Sequence, residues 1–123
     1  MNASRRSLFG LVLLILAISV ASQWWGHRQE AQVGERLAAL ARPGDLKMIA
    51  SDTCGICSVA RTWLRDHGVA FEECSIERDA ACRAEFEALR AAGTPVFVVS
   101  GQQASLGFSP SRLLAQVRAL RSG

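Results

Sequence analysis

The chain has no internal repeat, no low-complexity tract and no basic stripe interleaved with aromatics. The first two absences exclude a repeat array and a disordered spacer. The third removes the electrostatic footprint of a nucleic-acid binder. Proline is scarce, with three residues, and each falls where an element is expected to begin or end: Pro43, Pro95 and Pro110. A polar face is lacking between Leu8 and Ala21, which argues against the buried core helix of a globular protein. Excess charge is also lacking over most of the chain. From Gly44 onward basic and acidic residues balance at nine each, so the net +3 sits in the first 43 residues, on Arg5, Arg6, Arg28, Arg36 and Arg42 against Glu30 and Glu35.

What is present begins with an apolar run. Leu8 to Trp25 would span about 27 Å as helix, nearly a bilayer's hydrocarbon core. Trp24 and Trp25 suit a membrane interface and favour an anchor. The short basic start and the small-x-small triplet Ser19-Val20-Ala21 suit a cleaved signal peptide. Both readings stay open, and both keep the arginines inside and export the rest. Residues 1–25 are thus a membrane anchor or signal segment. Residues 26–44 read as a helical stalk with a narrow stripe of Val33, Leu37, Leu40 and Ala41, ended by Pro43-Gly44. Residues 45–123 form the domain, expected to face the periplasm from a single-pass anchor, or to be secreted or periplasmic after cleavage.

Within the domain the pattern alternates. Leu46–Ser51 is a strand candidate, and a helix runs from Cys54/Cys57 to His67 until Gly68 stops it. Ala70–Cys74 reads as a strand, and Asp79 caps a helix from Ala80 to about Ala92. Val96–Val99 is four apolar residues in a row, the pattern of a strand buried on both faces. Ser100–Gln103 is a turn and Ala104–Gly107 a short strand, giving a hairpin. Ser109 caps a last helix with Pro110 at its first position, where a missing N–H costs nothing. The fold class is α/β, ordered β-α-β-α-β-β-α after an N-terminal transmembrane or signal helix.

The chemistry centres on Cys54-Gly55-Ile56-Cys57. Placed at a strand-to-helix junction, Cys54 meets the free N–H groups of a helix start, which stabilise the thiolate that does the chemistry. Cys57, one turn on, is placed to resolve a mixed disulfide. The spacing alone also suits half a zinc site, haem attachment or Cu(I). Residue 58 is serine, so the haem signature is missing. Copper carriers favour methionine two residues before the first cysteine, where this chain has Asp52.

Three separated features resemble the glutaredoxin branch of the thioredoxin superfamily: Cys54-Gly55-Ile56-Cys57 after the first strand, Thr94-Pro95-Val96 before the third, and Leu106-Gly107-Phe108-Ser109-Pro110 leading into the last helix. The similarity covers about Asp45 to Ser122. It implies a thioredoxin-like fold and a thiol–disulfide oxidoreductase in which Cys54 attacks and Cys57 resolves. It makes Pro95 a cis-proline facing the cysteines, and gives Thr94, Pro95, Val96, Gly107 and Phe108 to the substrate. The family's basic residue before the first cysteine is absent from Ser51-Asp52-Thr53, and its Gly-Gly-Asp stretch is replaced by Leu106-Gly107-Phe108-Ser109. Dithiol chemistry carries over where glutathione does not follow, so no metal or organic cofactor is required and glutathione stays open. Expected partners are protein thiols and disulfides, and the membrane through the N-terminal helix, with no nucleic acid. The domain is expected to be a monomer. The other readings are a Cu(I) carrier using the same cysteines and a non-catalytic adaptor on the thioredoxin fold.

Cys74 and Cys82 form a second set. Both are expected to point inward across a tight strand-to-helix connection, which suits a structural disulfide; free buried thiols and a second redox relay are the alternatives. A four-cysteine zinc site would need a tight second pair, and C-x7-C is loose. His67 reads as a residue closing the first helix, Trp63 as helix core, Asp52 as a carboxylate that would raise the Cys54 pKa if close, and Phe108 as either groove lining or a hydrophobic plug.

Overall fold

The computed structural model describes residues 2–101 and 103–123. Met1 of the expected anchor and Gln102 of the expected turn lie outside the described residues. Helix α1 (Asn2–Leu40) is followed by β1 (Leu46–Ala50), α2 (Gly55–Asp66), β2 (Glu72–Ser75), α3 (Ala80–Ala88), β3 (Val96–Val99), β4 (Gln103–Leu106) and α4 (Pro110–Ser122). Two compact units divide the chain, one ending at Gln32 and the other running Val33–Gly123.

The first unit is helix alone. It contains a window of mean hydropathy 2.0, none of it buried, long and apolar enough to cross a membrane or serve as a signal segment. Its serines do not break the apolar surface. The hydroxyls of Ser19 and Ser22 donate to the carbonyls of Ile15 and Ile18 at 2.8 and 2.7 Å, so their polar groups are satisfied within the helix. At the far end the Arg28 guanidinium lies 3.7 Å over the Trp24 ring, a cation–π pair.

The second unit is built on a mixed four-stranded sheet in the order β2-β1-β3-β4. β1 pairs parallel with β2 (Ile49 opposite Cys74) and antiparallel with β3 (Met48 opposite Phe97). β3 pairs antiparallel with β4, Val96 opposite Leu106. Side chains alternate across the central strands, so each feeds two cores. Leu46, Met48, Ala50, Phe97 and Val99 meet Leu37 of α1, Ala60 and Leu64 of α2, and Leu113, Leu114 and Val117 of α4. Ile49, Val96 and Val98 meet Cys82, Phe86 and Cys74 on the α3 face. The four apolar residues of β3 are all buried, as a strand covered on both faces requires. Each such side chain contributes about 1.5–3 kcal/mol on leaving water.

Strands β1 and β4 differ from their sequence pattern by one residue, β1 ending at Ala50 and β4 running Gln103–Leu106, and two elements depart further. Strand β2 begins at Glu72, not Ala70, because its pairing starts where Lys47 faces Glu72. Val69 is buried in the α2–α4 core from the preceding loop, and Phe71 packs against that core. Helix α3 stops at Ala88, short of Ala92. Arg90 takes a left-handed φ of 52°, its N–H bonds to the Glu87 carbonyl, and the Ala91 N–H reaches back to Phe86. That is a Schellman closure with arginine where glycine is usual. The same closure ends α2 with Gly68 (φ 68°), Gly68 bonding Arg65 and Val69 bonding Leu64. The expected caps are in place: Asp79 accepts from the N–H groups of Ala81 and Cys82, and Ser109 from that of Arg112, with Pro110 opening α4.

Candidate active site

The β1–α2 junction carries the first cysteine pair. Cys54 is the N-cap of α2, and its Sγ accepts the Cys57 N–H at 3.0 Å. A sulfur there receives one of the free N–H groups of the helix start, an arrangement that favours the thiolate once the pair is reduced. Cys54 is half-buried, whereas Cys57 is fully buried beneath it in the α2–α4 core. The two are joined as a disulfide with Cα atoms 5.2 Å apart. Of the pair, Cys54 is the sulfur a partner can reach.

The other residues singled out by the sequence divide into two groups. The Thr94–Pro95 bond is cis, Pro95 is buried, and its carbonyl accepts the Gly107 N–H at 2.9 Å. Thus Thr94, Pro95, Val96 and Gly107 belong to one backbone assembly at the β3 entrance and the β4 exit. Phe108 points into the molecule: its ring sits edge-on to Trp63 at 5.6 Å and 5.9 Å from Phe97, packed against the α2–α4 core. His67 caps α2, stacks on Trp63 at 4.0 Å, and its Nδ1 lies 2.8 Å from the Trp63 carbonyl.

Cys74 and Cys82 are also joined, with Cα atoms 6.0 Å apart. Their bond ties edge strand β2 to the first turn of α3, on the sheet face opposite Cys57. The four cysteines therefore make two separate pairs rather than one cluster.

Sequence reasoning missed what surrounds Asp52. Its carboxylate does not stand free beside Cys54. Arg78 grips it through Nε at 2.9 Å and Nη2 at 2.6 Å, and the Ser75 hydroxyl lies 3.1 Å away. The Arg78 hydrogen bond, with help from Ser75 and the Arg78 charge, holds the Asp52 carboxyl below the ordinary carboxylate value. Glu77 is lowered too, first by the Ser51 hydroxyl at 2.6 Å and then by the Asp52 N–H at 3.1 Å. Ser51, Asp52, Ser75 and Arg78, with Ser58, Arg61 and Glu73, line a polar cleft of about 400 Å³ beside the Cys54 loop. Arg61 and Glu73 form a second ion pair across it. No short motif could have revealed this cleft, because Asp52 and Arg78 are 26 residues apart and meet only at the β1–β2 edge.

Comparison with known proteins bears on this geometry. Residues 46–103 match the Glutaredoxin family model. The crystal structure of the thioredoxin-like protein BC3987 is similar at a TM-score of 0.50 and 25% identity, covering 58% of this chain and 97% of that one. A mutant of that protein gives 0.53 at 25% identity, over 60% and 95%. The glutaredoxin from Methanosarcina mazei Go1 shares the fold at a TM-score of 0.52 and 21% identity, over 60% of this chain and 78% of that one. No curated protein matches the chain. Residues 46–103 are thus similar to glutaredoxins, on a thioredoxin-like fold that carries the Cys54–Cys57 pair at the start of α2.

Proposed function

We propose that the protein is a membrane-tethered thiol–disulfide oxidoreductase whose Cys54/Cys57 dithiol acts on exported protein substrates. The reading is carried by one observation: an accessible sulfur at a helix N-terminus, bonded to a buried sulfur one turn below. In the reducing direction the Cys54 thiolate attacks a substrate disulfide. The substrate S–S bond breaks, a Cys54–substrate bond forms, and the departing substrate sulfur takes up a proton. The Cys57 thiolate then attacks the Cys54 sulfur, which frees the second substrate thiol and leaves Cys54–Cys57 oxidised. Two electrons pass from protein to substrate, and a thiol donor returns the pair to the reduced form. The steps run backwards to make disulfides, with the compartment's poise setting the direction.

Thr94 and Pro95 are assigned to the partner's extended backbone, with Val96 and Gly107 framing them and Phe108 as the packed support beneath. The exchange uses no metal or organic cofactor. Export is supported by the apolar helix ahead of the domain, with a cytoplasmic N-terminus and the domain in the periplasm.

Trapping tests the reading. In cells, the Cys57→Ser variant should accumulate mixed disulfides with exported proteins, released by dithiothreitol, and Cys54→Ser should accumulate none. Equal adducts on both variants would defeat the assignment of Cys54 as nucleophile. Adducts confined to cytoplasmic proteins would defeat the topology.

A further inference from the structure

The mechanism above uses the cysteines and the Thr94–Pro95 backbone and leaves the charged cleft beside the Cys54 loop without a role. Two segments contribute to that cleft, which Ser58 and Arg61 of α2 and Glu73 of β2 also line. One is Ser51-Asp52-Thr53, the short loop between β1 and Cys54. The other runs from Ser75, the last residue of β2, to Asp79, the N-cap of α3. Ser51 and Asp52 bond to Glu77, and Asp52 bonds to Arg78 and Ser75. The Ile76 N–H donates to the Ala50 carbonyl at 3.0 Å, and the Asp79 N–H to the Ser75 carbonyl at 3.0 Å. The second segment is a covalently closed ring, since Cys74 and Cys82 bracket it. The loop leading into the reactive cysteine is thus fastened to a small disulfide-closed loop.

We propose that Arg78 is a positioning residue for Cys54. It acts through Asp52, cancelling that carboxylate's charge and turning it toward the Cys74–Cys82 ring, away from the reactive thiol.

Electrostatics gives the direction. The charged groups around the junction are Asp52 on the Cys54 loop, Glu77 and Arg78 on the ring, and the Arg61–Glu73 pair between α2 and β2. Glu77 is engaged by hydroxyl and amide donors, and Arg61 by Glu73. Asp52 is the carboxylate nearest to Cys54 along the chain, and its partner comes from outside that loop. Without Arg78 the loop keeps a negative charge two residues from the sulfur, and an unneutralised carboxylate disfavours a thiolate. Without Asp52 the guanidinium remains, and the thiolate gains. Removing both returns the site to its original charge balance.

This inference rests on Cys54 being the attacking thiol. Its test reads the thiol itself rather than turnover, so the two ideas fail separately. The full chain in detergent is reduced, and the pH dependence of iodoacetamide alkylation at Cys54 is followed by mass spectrometry. Arg78→Gln should move the midpoint of the profile to higher pH, lowering the thiol's ionisation constant about threefold, the order expected for one uncancelled charge exposed to water. Asp52→Asn should move it to lower pH, the Asp52→Asn/Arg78→Gln double variant should return near the starting profile, and Arg78→Lys should restore most of it. A purely structural role for Arg78 would lower thermal stability and leave the midpoint in place. An unmoved midpoint in Arg78→Gln, or a double variant displaced as far as Arg78→Gln, overturns the proposal.

Discussion

Asp52 and Cys54 stand two residues apart, and the sequence marks both, but it does not show what holds the aspartate. The cysteine announces itself by its spacing to Cys57 and by the apolar run before it. The aspartate looks like any loop carboxylate until the sheet brings Arg78 and Ser75 to it. Its behaviour with pH follows from those partners. Asp52 and Glu77 are held below their ordinary values of 3.8 and 4.5. A carboxyl lowered on folding stabilises the native state above its ordinary value, and that support is lost as pH falls through the lower, folded value. The loop contacts should therefore persist through mild acid and fail only below about pH 4. The Asp52 amide, which donates to Glu77, reports this directly by NMR. Its resonance should shift with a midpoint below 4.5, the ordinary value of Glu77. A midpoint at or above that value would mean that the Ser51–Glu77–Asp52 contacts do not form in solution.

At the scale of elements, periodicity and caps were readable wherever the residue that bends the chain is a residue specialised for it. Gly68 after α2, Asp79 before α3 and Ser109-Pro110 before α4 fall in this class. The end of α3 was not readable, because Arg90 adopts the left-handed turn without the usual glycine. The start of β2 was not readable either, since pairing with β1 rather than local propensity decides where an edge strand begins. Gly34 is a third case. Nothing in the sequence singles it out, yet it is buried in the second unit, and a Cβ there would overlap the His67 ring. The imidazole is held between this glycine and Trp63. Gly34→Ala would gain about 1 kcal/mol in helix propensity, but overpacking of this kind costs about 1–3 kcal/mol. The expected outcome in a thermal melt is a net loss, recovered in part by His67→Ala in the same chain. A more stable Gly34→Ala variant would show that α1 does not pack there as described.

For the molecule as a whole, the sequence carried the fold class and both cysteine sets, because alternating apolar periods and paired cysteines are local signals. It also assigned exchange to Cys54–Cys57 and suited Cys74–Cys82 to a structural bond, but the spatial separation of the two pairs was not legible. It depends on which sheet face each occupies, Cys57 in the α2–α4 core and Cys74–Cys82 on the α3 side. That separation favours one exchanging pair and one fixed staple over a relay between them. Closing the short 74–82 loop stabilises the fold by about 2.6 kcal/mol in the chain-entropy model. The measurement that tests this account most directly is a redox titration of the full chain against glutathione, with alkylated thiols counted and located by mass spectrometry. Cys54 and Cys57 should appear and disappear together as one two-electron couple, while Cys74 and Cys82 stay oxidised across the same range. If Cys54 and Cys57 never form a disulfide at any ratio, the oxidoreductase reading is wrong and Cu(I) binding by the same two thiolates takes its place.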